Sequence, residues 1–172
     1  MNGTLGAADG GRWRLRFTRH LAHPPDVVWR AVTDPAELAA WFPQRVVGDV
    51  TVPGAALRFE SDGFPSFDGV VLRVEPPRLL EIGWGTEVVR FEIEAAGEGC
   101  TLTLVDTIDE LGKAARDGAG WHTCLDLLEA ALDGGGAPVD IEQRWAEVHP
   151  GYVEAFGPAA STLGPPDPAG GA

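Results

Sequence analysis

The sequence has few of the residues and patterns that mark export, metal binding or nucleotide binding. Its 172 residues include only two cysteines and four histidines, and no CxxC, HxxxH or HExxH pattern joins them. No run of about 18 apolar residues is present, and no basic segment followed by an apolar one opens the chain. GxxxxGK[ST], GxSxG and a strand-flanked GxGxxG are also missing. We therefore expect no metal, no cofactor and no membrane insertion, with the cytoplasm as the default location.

Basic residues are also scarce, because 13 Lys and Arg face 26 Asp and Glu, giving a net charge of -13. Such a surface repels phosphate backbones and anionic lipid, which argues against nucleic acid as a partner. The exception is a segment in which Arg12, Arg14 and Arg16, with Arg19 as a further candidate, alternate with apolar residues. This alternation predicts a half-buried strand with arginines on its solvent face, paired with acidic neighbours.

The length predicts one domain with terminal tails. Residues 1–10 and 158–172 are rich in Gly, Ala and Pro and have almost no bulky apolar side chains, so both are predicted to be disordered. The division that follows is a main domain over residues 11–134 and a helical extension over residues 135–157. Cys100 and Cys124 are predicted to be buried, reduced thiols.

The first strand is predicted at about 12–21, and two short helices follow it. Pro25 suits a first helical turn, while Asp34 before Pro35 ends one helix and caps the next. Apolar residues then recur at every second position, and the connections are too short for crossover helices, so neighbouring strands are predicted to be antiparallel. These strands are predicted at 45–52, 55–61, 67–76, 78–84, 87–95 and 99–109. Their predicted inward residues are Val70, Leu72, Val74, Leu80, Ile82, Trp84, Val89, Phe91, Ile93, Leu102 and Leu104.

Two more helices complete the predicted order. The stripe Trp121, Leu125, Leu128 and Leu132 predicts a long helix over 113–133. A last helix over 138–156 carries apolar residues at helical spacing, and Pro150 is expected to kink or split it. This helix could cover the body of the protein or offer its Trp145, Tyr152 and Phe156 stripe to another subunit.

This α+β order of elements resembles the START-like helix-grip superfamily, in which a curved antiparallel sheet wraps a long C-terminal helix. Within it, the sequence is most similar to the family related to the activator of heat-shock protein 90 ATPase. The match rests on three segments spread over residues 12–133. They are Pro25-Asp26-Val27-Val28-Trp29-Arg30-Ala31-Val32-Thr33-Asp34-Pro35 with Leu38 and Trp41, Val74-Glu75-Pro76-Pro77 with Leu80 and Trp84, and Gly120-Trp121.

The resemblance implies an apolar cavity between sheet and helix that binds a small hydrophobic molecule. Large apolar residues could equally fill that space as a solid core. Because the fold hosts many functions, it brings no catalytic set with it. The ligand-binding residues expected on this basis are Trp41, Phe59, Val70, Leu72, Trp84, Phe91, Leu104, Asp106, Trp121 and Leu125.

Two other functions stay open at this point. Asp106 in an inward strand phase and His122 beside Trp121 could form an acid and base pair of a polyketide cyclase-like enzyme, although His122 is turned about 100° from the Trp121 stripe. Alternatively, the acidic surface and last helix could serve a protein-interaction or stress-related co-chaperone-like factor, or a homodimer.

Overall fold

The computed structural model describes residues 2–135 and 139–165 of the chain. Within them an eight-stranded antiparallel sheet combines with four α-helices. Single turns of 3-10 helix lie at Asp9–Gly11, Leu111–Lys113 and Pro158–Ala160. The strands and helices, in chain order, are β1 Thr4–Ala7, β2 Trp13–Leu21, α1 Pro25–Thr33, α2 Pro35–Leu38, β3 Arg45–Val47, β4 Ala56–Ser61, β5 Phe64–Glu75, β6 Leu79–Trp84, β7 Glu87–Ala96, β8 Gly99–Ile108, α3 Ala114–Leu132 and α4 Ile141–Phe156.

The strand order is β1-β2-β8-β7-β6-β5-β4-β3, so β2 pairs with the last strand and the remaining strands follow as hairpins. Alternation along each strand turns one face of the sheet towards α3, and the residues on that face are buried. The predicted α+β helix-grip fold is therefore confirmed, with a strand count slightly above the six or seven expected. The inward strand residues predicted correctly are Leu80, Ile82, Val89, Phe91, Ile93, Leu102 and Leu104.

The helical insert after β2 forms for the reasons seen in the sequence. Pro25 and Pro35 lie in the first turns of α1 and α2. Oδ1 of Asp34 accepts hydrogen bonds from the backbone N–H groups of Ala36 at 2.9 Å and Glu37 at 3.2 Å, which caps α2 as predicted. The insert continues into a turn that carries Trp41 into the interior, where its Nε1 donates to the carbonyl of Ala31 at 2.9 Å.

The prediction of strand phase is wrong at the centre of β5. Val71 is 1% exposed, whereas Val70 is 37% and Leu72 47% exposed. The cause is a bulge between Val71 and Arg73. These residues pair with the adjacent residues Ile82 and Glu81 of β6, so Leu72 is an extra residue in β5. Because one extra residue reverses the alternation, Val74 still packs against the core while Val70 and Leu72 point to the outer face.

The N-terminal residues are ordered, contrary to the predicted disorder of residues 1–10. Thr4–Ala7 form β1, which pairs with β2, and the backbone N–H of Gly3 donates to the hydroxyl of Tyr152 at 2.9 Å. Strand pairing uses backbone groups alone, so a segment with few apolar side chains can be ordered by a neighbour. A Cβ atom at Gly3 would lie 2.3 Å from the Phe17 ring, which explains why this position is glycine.

The last helix, α4, packs against α3 and is continuous through Pro150, so Pro150 does not split it. Tyr152 is 2% exposed and lies over Gly118, where a Cβ atom would approach its ring to 3.0 Å. Packing along this face offsets the one backbone hydrogen bond that proline removes. Of the two roles predicted for this helix, the structure shows the cover over the body of the same chain, with Trp145, Tyr152 and Phe156 packed on the core.

Parts of the predicted C-terminal tail are also ordered, since Pro158–Ala160 form a 3-10 turn and Ala160 is buried. The rest of that tail, residues 166–172, and residues 136–138 of the predicted helical extension lie outside the described residues. The division into a main domain and a helical extension stays a prediction. In the described part of the chain, no helix combines the length and hydropathy that crossing a membrane would need.

Candidate ligand-binding cleft

The space between the sheet and α3 is filled by aromatic side chains. Phe42 lies at the centre, with ring centroids 5.7 Å from Trp41, 6.1 Å from Phe59 and 5.8 Å from Trp121. Trp41 also makes an edge-to-face contact with Phe91 at 5.8 Å. Such contacts give dense packing in this region. Five of the predicted ligand-binding residues are fully buried members of this core, namely Trp41, Phe59, Phe91, Leu104 and Leu125.

A cleft of about 270 Å³ opens beside this core, where the indoles of Trp84 and Trp121 meet with centroids 5.3 Å apart. Its size is close to the lower end of small-molecule sites, and its surface is mostly apolar. The walls come from the end of β6, the first half of α3, α4 and the segments around them. The lining residues are Pro43, Gln44, Trp84, Arg116, Asp117, Gly120, Trp121, Cys124, Trp145 and Pro165.

Hydrogen bonds hold the indole walls of the cleft in place. Nε1 of Trp84 donates to Oε1 of Gln44 at 3.1 Å, and Nε1 of Trp145 donates to the backbone carbonyl of Arg116 at 3.3 Å. Gly120 leaves the floor open, because a Cβ atom there would have no neighbour within 4 Å. These contacts fix two flat apolar surfaces beside a space that no side chain of the described residues fills.

The third indole is joined to a buried carboxyl group. Nε1 of Trp121 donates to Oδ2 of Asp106 at 2.8 Å. Asp106 is 0% exposed, and its other oxygen, Oδ1, has no hydrogen-bond partner among the described residues. Burial, together with the nearby carboxylate of Glu87, raises the pKa of Asp106 well above its usual value. The protonated, neutral form is therefore favoured.

A second group of charges borders Asp106 at the same end of the sheet. Lys113 forms ion pairs with Glu87 and, at 2.6 Å, with Asp109. Burial raises the pKa of Glu87 despite this pairing. Hydrogen bonds from Lys113 and Thr86 lower the pKa of Asp109 to about 2. Lys113, the one lysine of the chain, thus pairs with two acidic residues, of which Glu87 has a raised pKa and Asp109 a lowered pKa.

The charged residues that line the cleft itself are Arg116 and Asp117. Nε of Arg116 contacts Oδ1 of Asp117 at 2.6 Å, and burial raises the pKa of Asp117. Cys124 is a free thiol whose pKa is raised to about 12 by burial. At neutral pH it is protonated, which makes it a weak nucleophile. Cys100 is also free and buried, as predicted.

The predicted pair of Asp106 and His122 is not assembled. Nδ1 of His122 lies 2.9 Å from the hydroxyl of Tyr152, and Nε2 lies 3.6 Å from Oδ2 of Asp126. His122 therefore faces α4, while Asp106 contacts Trp121. The reason is the 100° step between successive helical residues, which turns neighbours on α3 to different faces.

Arg19 also differs from its predicted place on the solvent face. It lies in the inward phase of β2, is 6% exposed and pairs with Glu129 at 2.8 Å and with Asp126 at 3.6 Å. Arg14 and Arg16 do lie on the exposed face of the same strand. The arginine is buried because two acidic residues of α3 meet it there.

The cleft contains only two of the predicted ligand-binding residues, Trp84 and Trp121, with Asp106 directly behind them. Val70 and Leu72 lie on the outer face and do not approach it. Sequence reasoning missed the other lining residues, Pro43, Gln44, Arg116, Asp117, Gly120, Cys124, Trp145 and Pro165. Gly120 beside Trp121 gave a signal, since a glycine inside a long helix commonly marks close packing or open space.

Comparison with known proteins supplies the family context. The family model described as Activator of Hsp90 ATPase homolog 1-like protein matches residues 22–133. The matched segment runs from the end of β2 to the end of α3, so Trp145 and Pro165 of the cleft lie beyond it. No curated protein matches the sequence.

Solved structures extend the likeness over most of the chain. CalU16 from Micromonospora echinospora has a TM-score of 0.72 and 25% identity, over 90% of this chain and 96% of its own. BPP1335 from Bordetella parapertussis has a TM-score of 0.66 and 27% identity, over 87% of this chain and 90% of its own. DynU16, a protein of the dynemicin biosynthetic locus, has a TM-score of 0.63 and 29% identity, over 70% of this chain and 47% of its own.

Proposed function

Because the chain belongs to the Activator of Hsp90 ATPase homolog 1-like family, whose helix-grip fold it has, we propose that it binds a small hydrophobic molecule in the cleft between Trp84, Trp121 and Trp145. The proposed ligand is a flat, mainly apolar molecule. Three indole walls favour a planar ring system, because aromatic rings pack well by stacking and edge contacts.

One observation carries the proposal: the apolar cleft ends at Trp121, whose indole is fixed by a buried carboxyl group with a free oxygen. Binding sites for small molecules commonly combine apolar walls with a few placed polar groups. The polar groups placed in this cleft are Gln44, Arg116 and Asp117. Asp106 does not line the cleft, so we propose that it acts from behind Trp121, by fixing the indole against which the ligand packs.

The similarity to a protein of the dynemicin biosynthetic locus supports a metabolite of a biosynthetic route as the class of ligand. We propose the cytoplasm as the place where it is bound. The predicted ligand-binding residues that lie in the packed core would shape the cleft without touching the ligand.

The first test is native mass spectrometry of the protein purified from its source, followed by solvent extraction. We expect an apolar, ring-containing molecule at near one-to-one ratio. A protein that carries nothing, and that also fails to bind the neutral aromatic dye N-phenylnaphthylamine saturably, would contradict the proposal.

The site itself is tested by filling the cleft from its floor. Gly120→Leu places a side chain in the space that Gly120 leaves open and should abolish dye binding without loss of stability. Gly151→Leu is the matched control, because Gly151 is a glycine of α4 with equally open space that does not line the cleft. Equal dye binding by the two variants would place the site elsewhere.

A further inference from the structure

The C-terminal end of the described chain forms part of the cleft, although the family match ends at residue 133. Pro165 lines the cleft together with Trp84 and Trp121. The segment that carries it, residues 162–165, is here called the strap. All four strap residues are exposed, so little apolar burial holds them in place.

The strap has weak attachments compared with the helix before it. Its described hydrogen bonds are one from the backbone N–H of Leu163 to the carbonyl of Gly112 at 3.0 Å, and one from Nη1 of Arg116 to the carbonyl of Gly164 at 3.4 Å. The second is long and exposed. Pro165 has no N–H, so its backbone cannot donate a further bond.

The residues just before the strap are held firmly. Ala160 is 1% exposed, and the hydroxyl of Ser161 donates to the carbonyl of Gly157 at 2.9 Å. Tyr152 anchors α4 through contacts with Gly3 and His122. The change from a buried, bonded turn to an exposed segment with two attachments identifies Ser161 as the point about which the segment can move.

We propose that the strap is a gate of the cleft: it lifts from Gly112 and Arg116 to admit a ligand, and closes with Pro165 against the bound molecule, while α4 stays in place. The kind of ligand that passes the gate rests on the proposed function, whereas the movement of the strap does not. Such a gate would select among ligands, because the closed Pro165 favours apolar ring systems short enough to fit beneath it. Residues beyond the family match would then set the specificity of this chain.

The geometry at Gly112 allows the gate to be locked. A Cβ atom built on Gly112 would lie 3.5 Å from Cβ of Thr162. Disulfides have Cβ separations of about 3.5–4.5 Å. The double variant Gly112→Cys with Thr162→Cys should therefore cross-link the strap to the start of α3 under mild oxidation. Thr162→Cys alone is the control that cannot form this bond.

The native cysteines report the gate without any ligand. Cys124 lines the cleft, whereas Cys100 is buried in β8 away from it. Alkylation by iodoacetamide, followed peptide by peptide, should be slowed about tenfold at Cys124 in the cross-linked protein relative to the control under the same conditions. The rate at Cys100, which reports wider unfolding, should not change.

An equal rate at Cys124 in locked and control proteins would overturn the gate, as would failure of the two new cysteines to cross-link. Dye binding separates this result from the proposed function. The locked protein should bind and release N-phenylnaphthylamine more slowly than its control. If the control binds no dye, the proposed function fails, and the Cys124 rates still decide whether the strap moves as a gate.

Discussion

Trp121 connects the surface of the cleft to the interior, because its indole lines the cleft while its Nε1 donates to Oδ2 of the fully buried Asp106 at 2.8 Å. The bond fixes the ring and supplies the one described hydrogen bond of that carboxyl group. Any change in either residue should therefore be felt both in stability and in binding.

Replacing Trp121 by Phe keeps an aromatic ring but removes the donor, leaving Asp106 without a described partner. We expect a loss of about 1–3 kcal/mol in the free energy of unfolding, measured by urea denaturation. Trp145→Phe is the matched control. Its indole bond, to the carbonyl of Arg116, is longer and only partly buried, so its loss should be smaller. A larger loss in the control would contradict the role given to Asp106.

The raised pKa of Asp106 predicts how stability depends on pH. Below about pH 4 the group is protonated in the folded and unfolded states alike. As the pH rises, the unfolded chain releases the proton first, so the folded state binds more protons and loses stability. Asp106→Asn keeps an acceptor for Trp121 but does not titrate. It should therefore gain stability relative to the parent protein as the pH rises above about 4.

Asp109 should give the opposite pH dependence of the free energy of unfolding, measured by urea denaturation over the same range. Its pKa is lowered to about 2, so its contribution is present above about pH 4 and is lost as the pH falls through 2. Asp109→Asn should be destabilising at neutral pH and should approach the stability of the parent protein as the pH falls below 2. Parallel pH profiles for the two variants would rule out opposite pKa shifts.

Lys113 should be important for stability because it pairs with Glu87, whose side chain is 8% exposed. Lys113→Met leaves a buried carboxylate without its cation, and we expect a loss of about 3 kcal/mol near pH 7. The loss should shrink at lower pH, where Glu87 takes up a proton. The double variant with Glu87→Gln should recover most of it, and strictly additive losses would contradict direct pairing.

The hydroxyl of Tyr152 ties β1 to α4 by accepting the N–H of Gly3. Tyr152→Phe should cost about 1 kcal/mol. It should also speed hydrogen exchange of the β1 amides while leaving the β7 and β8 amides unchanged. Unchanged exchange in β1 would mean that strand pairing with β2 alone holds the N-terminus.

Sequence periodicity was sufficient for the sheet, α3 and most inward residues, because alternation and helical spacing are local properties. It failed where a distant contact decides the structure. The bulge at Leu72, the burial of Arg19 by α3 acids and the ordering of β1 by β2 leave no local signal. Only a small part of the cleft was predicted, since Trp84 and Trp121 follow from the pattern, while Trp145 and Pro165 depend on how α4 folds back.

The strand order also has a consequence for the timing of folding. β2 is made early, yet one of its two neighbours is β8, and Gly3 reaches its partner Tyr152 only across 149 positions of the chain. Closing such long loops is entropically costly before the contacts form. During synthesis, one edge of β2 therefore stays unpaired until β8, which ends at Ile108, has emerged, and the hairpins from β3 to β8 can form in sequence before it pairs.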